Sequence, residues 1–476
     1  MRHPLRGLIL ERLLQAGVST LAVCLLGSCV SSRSLVTTGD ATVTPPPAAD
    51  SGQQPPLRPE AQPAILEEAH LLTPEECIGY AYLHNRSIAR AQWRTLGARA
   101  DVDSAEAELL PSIHADGAFS TRNNDSGVSF NGVRFVTGDR TVATGDLVAS
   151  VPIFAATDGK RSTARHALSA RKADSQQTLS DIAAAVTSTI FDLLEARERI
   201  ALIATSVHSL GEQAAIAEDR QKAGLALASD SLADRVRLAE REQDRLHAAN
   251  DAEIIQSRLD RLLGLPLSHR LQFIPLLEAS LPPLDETGFT QQALERRQDL
   301  KAMRERLDQS LSLVHEADAS YLPQASLFGG IYASTDSLIL NREYFGAGLN
   351  ISVPLLDNGQ TAARIDSAKA AAGEQQEATQ ELIDQIREEV HQAVMTAEET
   401  SARLPVARQA DQLAKQRLEQ VQDQYRHGVS DMTTVLDAES EQVRTRLDAI
   451  HALMDMHRVL QQLARVTQNP SLGRAP

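Results

Sequence analysis

Two stretches of the chain alternate apolar and polar residues with a period of two, while most of the remainder repeats near 3.6. In the first, Ile113, Ala115, Gly117 and Phe119 alternate with His114, Asp116, Ala118 and Ser120. A polar loop over about 122–140, containing Asn123, Asn124 and Asp125, separates this set from Ala143, Gly145, Leu147, Ala149, Val151 and Ile153, which alternate with Thr144, Asp146 and Ser150. One apolar and one polar face is the mark of a half-buried strand, so 112–154 is predicted as a β-hairpin with a long loop. The second stretch, 324–354, has the same form. Ala325, Leu327, Gly329, Ile331 and Ala333 precede a short polar loop with Asp336 and Asn341, and Phe345, Ala347, Leu349, Ile351 and Val353 follow it.

Each hairpin lies between a shorter helix and a much longer one. Thr73-Pro74-Glu75-Glu76 is a capping box with proline in the first turn. It predicts a helix to about Leu110, packed through Ile78, Tyr82, Ile88, Trp93 and Leu96 and ended by Pro111. After the hairpin, Leu179, Ile182, Val186, Ile190 and Leu193 recur at helical steps within a predicted helix over 159–222, roughly 95 Å long at 1.5 Å per residue. Such a helix must pack laterally against others. A turn at Gly224, with Ser229 as a cap, leads to a helix over 230–263, and 268–285 is a proline-rich link. The second half follows the same plan. It has a helix ending before Pro323, the hairpin, a long helix over 360–426 that Pro405 is predicted to kink, a turn at Gly428, and a helix over 432–466.

The strand-to-helix transitions also correspond. Ser150-Val151-Pro152-Ile153-Phe154, continuing to Asp158-Gly159-Lys160, parallels Ser352-Val353-Pro354-Leu355-Leu356-Asp357-Asn358-Gly359-Gln360. The pattern therefore predicts two tandem repeats, 71–267 and 286–468, with Pro152, Gly159, Pro354 and Gly359 at the junctions. Strands of about ten residues suit a tilted membrane crossing, with the apolar face on lipid and the polar face on water. A barrel in a bilayer must close, so four strands per chain demand oligomerisation. Two chains give eight strands and a filled interior, whereas three give twelve and room for a conduit. The predicted fold is an α+β membrane protein, a trimeric 12-stranded β-barrel continued by a long α-helical barrel. A soluble antiparallel sheet carrying helical hairpins is the alternative architecture.

Composition narrows the partners. The chain has 476 residues, 42% of them hydrophobic but only 3% aromatic, which favours long helices over a mixed globule. The net charge of −16 argues against nucleic acid. Arg2, Arg6 and Arg12 precede an apolar run from Leu13 to Leu26 that is short for a membrane span, so 1–28 is predicted as a signal peptide. The run ends in Leu26-Gly27-Ser28-Cys29, which resembles the bacterial lipobox and makes Cys29 the expected lipidation site. An ordinary signal peptide with an incidental cysteine is the alternative. Val30, in place of an aspartate, points to the outer membrane. Residues 29–70, with Pro45-Pro46-Pro47 and Pro55-Pro56, predict a flexible lipidated tether. Cys77 is expected to be a small buried helical residue. No CxxC, nucleophile–base set, P-loop or dinucleotide fingerprint is present, so no enzyme, metal or cofactor is expected. His451, Met454, Met456 and His457 are expected to pack, and Glu388-Glu389 and Glu398-Glu399 to be solvated.

Several short motifs, in order and duplicated, resemble the outer membrane efflux (TolC-like) family in its lipid-anchored form. They are Leu72-Thr73-Pro74-Glu75-Glu76-Cys77 with Asn85, Ala293-Leu294-Glu295-Arg296-Arg297 with Asp299-Leu300, Leu110-Pro111 and Leu322-Pro323 before the strands, and the two Val-Pro junctions. The resemblance covers about 70–468. Arg86 and Gln298 stand where the family often has proline, Leu356 and Asn358 depart from its usual junction, and Ala155-Ala156 lengthen the first copy.

The resemblance implies a homotrimeric exit duct in the outer membrane lipid with a large periplasmic helical extension. Through a periplasmic adaptor protein it would serve an inner-membrane pump, in efflux or type I secretion. It also implies a periplasmic gate at the free hairpin ends, in which Asp230 and Tyr425 match the family's locking residues. The locking arginine is replaced by Ser430, with Arg426 as a substitute beside Tyr425. Asp437 matches an acidic residue facing the entrance lumen, and Thr434 replaces the second. Asp437 has a second reading as a helix-start carboxylate favoured by the N-terminal dipole. A periplasmic coiled-coil scaffold or adaptor without a pore is the alternative function.

Overall fold

The computed structural model describes residues 71–476 apart from 125, 155–156, 225–226, 268–270, 275–279, 340, 428, 470–471 and 473–476. The predicted signal peptide, Cys29 and the tether lie outside the described residues, as do Ala155-Ala156 and Gly428. The elements of the first half are β1 (Leu71–Leu72), α1 (Pro74–His84), α2 (Arg86–Ala107), β2 (Ser112–Thr121), β3 (Ser126–Phe130), β4 (Val133–Gly138), β5 (Thr141–Phe154), α3 (Thr157–Lys222) and α4 (Ala228–Leu263). The second half contains β6 (Gln272–Phe273), α5 (Glu286–Arg296), α6 (Gln298–Ala319), β7 (Gln324–Ser334), β8 (Glu343–Ser352), α7 (Gln360–Arg426) and α8 (Met432–Thr467). Helices α1 to α4 have 11, 22, 66 and 36 residues, and α5 to α8 have 11, 22, 67 and 36.

Thr73 and Glu76 form the reciprocal capping box of α1. The single helix predicted to Leu110 is instead two, broken at Asn85. That residue turns extended (ψ 128°), and its side-chain oxygen accepts from the Ser87 and Ile88 amides at 2.7 and 3.3 Å, capping α2. Its amide nitrogen donates to the Leu262 carbonyl at 2.7 Å, so the break also fastens α1–α2 to the end of α4. Arg297 makes the matching break between α5 and α6 (ψ 127°). Of the apolar contacts predicted for the first helix, Ile88 is buried and Ile78 packs on the core, whereas Tyr82 and Trp93 are exposed. A helical stripe does not reveal which of its members meet the same chain.

Val186, Ile190 and Leu193 of α3 are buried against Cys77 and Ala81 of α1 and Leu259 and Leu263 of α4. Each fully buried Leu or Ile side chain contributes about 1.5–3 kcal/mol. Burial pushes the Cys77 thiol up to about 12, with help from Glu76 and Glu75. The segment 268–285, expected to be only a link, contributes to this core. β6 pairs in parallel with β1, Leu271 and Phe273 are buried, and Arg197 lies 5.8 Å over the Phe273 ring while donating to the Leu271 carbonyl at 2.8 Å. In the second half Ile386, Val390, Ala393, Val394 and Ala397 of α7 pack on Phe289, Leu300, Val459 and Leu463. Helix α7 runs as one element through Pro405.

The strands form an antiparallel sheet in the order β2-β5-β7-β8. Its register lines up the alternating sets. Ala115 lies opposite Leu147, Leu147 opposite Ile331, and Ile331 opposite Phe345, one apolar row across four strands. The other face carries the row Asp116, Asp146, Tyr332 and Tyr344, with the two rings stacked at 5.0 Å. The predicted loop 122–140 holds a hairpin of its own, β3–β4, which turns at Asn131 (φ 52°) and Gly132 (φ 79°). Asn-Gly with both residues at positive φ is the type I′ turn that matches strand twist. Asp139, beyond this hairpin, accepts from the Ser337 amide at 2.6 Å and hydroxyl at 2.9 Å, joining the two loops. Among the described residues no helix is long and apolar enough to cross a membrane.

Candidate functional site: an open sheet, two junctions and two helical tips

Among the described residues the sheet has two open edges and an exposed apolar face. β2 and β8 each have one neighbour. Ile113, Phe119, Ile331, Phe345 and Ile351 on the apolar face are 57–74% exposed. Apolar surface of this extent flanked by unpaired backbone is a liability in water. In hydrocarbon it is favourable, provided the edges close on further strands.

At the first junction β5 continues through Pro152, and its pairing with β7 shifts between Pro152 and Phe154. Pairing of β5 with β2 ends at Ser150, so Pro152 lies where β5 has a neighbour on one side only and its missing N–H is tolerated. Gly159 is inside α3, and a Cβ there would lie 2.8 Å from the Glu316 Cβ and 3.0 Å from its Cα on α6. This glycine lets two helices touch. At the second junction β8 ends at Ser352, before Pro354, and Gly359 caps α7 with φ 86°. Asn358 precedes it at φ 53°. The Asp357 carboxylate accepts from the Gly359 amide at 3.1 Å and the Thr361 amide at 2.8 Å. Hydrogen bonds from Thr361, hydroxyl and amide, then from Gly359, hold its carboxyl below the usual carboxylate range. Leu355 and Leu356 beside it are 92% and 86% exposed.

The far ends of the long helices meet. The Tyr425 ring packs on the cluster Val421, Val435 and Ala438. Its hydroxyl accepts from Arg220 Nη1 at 2.7 Å, and the guanidinium lies 5.7 Å from the ring centre. Arg220 stands in the last turn of α3, so one side chain links the ends of α3 and α7. Sequence reasoning missed it, because nothing in a lone arginine at a helix end marks its partner. The backbone of Asp230 belongs to the first turn of α4, which starts at Ala228 without a side-chain cap, so Ser229 is not the cap. The side chains of Asp230 and Arg426 lie outside the described residues.

Asp437 is exposed, past the first turn of α8. The helix-start role belongs instead to Asp431, which accepts from the Thr434 amide at 2.9 Å and hydroxyl at 2.5 Å. Two residues beyond Asp437, Glu439 is buried and accepts from Gln213 Nε2 of α3 at 3.2 Å. Burial pushes its carboxyl above the usual range, against hydrogen bonds from Gln213 and Ser209 and the charge of Arg241.

Nearer the middle of the helices, Arg458 of α8 donates to Asp192 at 2.8 Å and to Glu195, both on α3. His451 lies 2.5 Å from Glu195, and Met454, Met456 and His457 are buried, which is packing and ion pairing between helices. Glu389, expected to be only solvated, binds Arg297, which also holds Asp299.

The profile of the family described as outer membrane efflux protein matches residues 78–265 and 289–468. The pyoverdine export outer membrane protein OpmQ of Pseudomonas putida is 25% identical over 466 residues, 91% of this chain and 96% of that protein. Among solved structures, the outer-membrane channel OprN superposes with a TM-score of 0.72 at 22% identity, covering 86% of this chain and 93% of that one. The CmeC outer membrane channel of Campylobacter jejuni gives 0.73 at 17% identity, covering 84% and 86%.

Proposed function

The chain belongs to the outer membrane efflux protein family, whose members are channels and not enzymes, and from that premise we propose that three copies build one passive duct. In this reading the two halves are tandem repeats, each giving two strands to a 12-stranded barrel in the outer membrane. The long helices continue the duct into the periplasm, where an adaptor protein connects it to an inner-membrane pump. Cys29 carries lipid, and 29–70 tethers it to the folded body. The cargo is a small toxic compound or another exported product.

One observation carries the reading. A four-stranded sheet with open edges and an exposed apolar face leads, at two junctions, into helices of 66 and 67 residues. Neighbouring copies satisfy the edges and lipid covers the face. The tips of α3–α4 and α7–α8 form the periplasmic gate, held by Tyr425 through Arg220 as well as by Asp230, and three copies of Asp437 place an acidic ring at the entrance that favours cations.

The test is purification in detergent, with mass by light scattering and conductance in a planar bilayer. A conducting trimer is expected, and Tyr425→Phe or Arg220→Ala should raise its resting conductance. A protein that leaves the membrane without detergent once its lipid is removed, and that conducts nothing, is the pore-free scaffold instead. Unchanged conductance in both variants removes the lock.

A further inference from the structure

We propose that His166, Glu305 and Asp308 form a divalent transition-metal site that clamps α3 to α6. Their ligand atoms, one from each side chain, lie within 4.8 Å of one another. His166 Nδ1 is 2.9 Å from Glu305 Oε2, and both side chains are about one-third exposed, so they are partly withdrawn from water yet reachable. Glu305 and Asp308 are three residues apart on α6, which places both carboxylates on one helix face. The helices run antiparallel here, as the neighbouring contacts show: Ser162 Oγ meets Ser312 Oγ at 2.9 Å on one side, and Arg306 binds Asp174 at 2.6 Å on the other. Two of the flanking cations are engaged elsewhere, Arg306 with Asp174 and Arg165 with Glu106.

An ionised carboxylate only accepts, so the neutral imidazole holds its proton on Nδ1, between the ring and Glu305. Ligation through Nδ1 takes the other tautomer. The ring's single proton leaves Nδ1 for water and one is taken up on Nε2, so the imidazole stays neutral and Nδ1 is free for the metal. One nitrogen and two oxygen donors with two negative charges suit zinc or a similar borderline ion better than magnesium or calcium, which take oxygen alone. Donors about 2.0–2.2 Å from zinc lie no more than about 4.4 Å apart. A small rotation of the exposed Asp308 side chain closes the set, and water completes the coordination. The site joins an α3 residue to an α6 residue 139 positions away, about 10 Å along α3 from the contact that Gly159 permits. An ion bound only in the folded state stabilises that contact by mass action.

The experiment uses the full chain, untagged and metal-stripped, in detergent. Zn²⁺ is titrated by calorimetry with Mg²⁺ as the control, and melting is followed by circular dichroism. One Zn²⁺ per chain and a higher melting temperature with Zn²⁺ are expected. Loss of even an outer-shell partner costs about 10–100-fold in metal affinity, so His166→Ala and Asp308→Asn should each lose at least about tenfold. Asp308 is exposed, so its variant keeps the His166–Glu305 pair and tests the site without disturbing the fold. Absence of stoichiometric Zn²⁺ binding to the native chain, or native affinity in both variants, overturns the proposal.

Discussion

At the first junction strand β5 carries Pro152 within it and α3 starts at Thr157, so that Gly159 is already helical and pressed against Glu316. At the second junction β8 ends at Ser352, and 353–359 form an irregular link that turns through Asn358 and Gly359 at positive φ. Proline and glycine hold corresponding places and do different work. Gly159 is needed for what surrounds it, since an added Cβ collides with backbone. Gly359 has nothing within 4 Å of an added Cβ and is needed for its own φ of 86°. Similar residues at two junctions thus need not do the same work.

The largest expected effect comes from filling the crowded position. Gly159→Leu forces α3 away from α6, because the nearest atoms to its Cβ are the Cβ and Cα of Glu316 and cannot rotate aside. Overpacking of this kind costs about 1–3 kcal/mol. A lowered melting temperature of the detergent-solubilised protein, read by circular dichroism, is the expected result. An unchanged melt would mean that the two junctions are equally open.

The sequence made the sheet and the long helices legible and hid how they are joined. Alternation at Ile113–Phe119 and Phe345–Ile351 identified residues that the register places on one face, because a period of two is a local property. The Asn131-Gly132 turn was also legible, flanked by alternating Val128, Phe130, Val133 and Phe135, but the surrounding polar residues and glycines read as loop. What could not be read are properties of pairs: Arg220 on Tyr425, Asn85 on Leu262, Gly159 on Glu316, and the burial of Phe273 inside an apparent linker. Each depends on a partner far away in sequence. The family resemblance singles out Tyr425, whereas its contact with Arg220 needs three dimensions.

A smaller effect separates the two glycines by kind. Gly359→Ala has room but must hold a Cβ in the left-handed region, which costs about 1–2 kcal/mol. Asparagine tolerates that region better than alanine does, so Gly359→Asn should recover much of the loss. Gly159→Asn should recover none, since its problem is space. Four melting curves decide the matter. Equal recovery at both positions would show that one backbone requirement serves both junctions.

The smallest expected effect is electrostatic and belongs to the second junction. Hydrogen bonds from Thr361 and Gly359 lower the folded-state pKa of Asp357 below its unfolded value, which is about 3.9. A depressed carboxyl pKa contributes stability that is present above the unfolded value and is lost as pH falls through the folded one. Asp357→Asn keeps a side-chain oxygen suited to capping α7 but cannot titrate. The native protein should therefore lose more melting temperature than the variant on going from pH 7 to below about 4, so that the gap between them at neutral pH closes in the acid. The same acid-induced loss in both would place the acid sensitivity elsewhere, and would leave the Asn358-Gly359 turn, rather than the Asp357 charge, as what distinguishes the second junction.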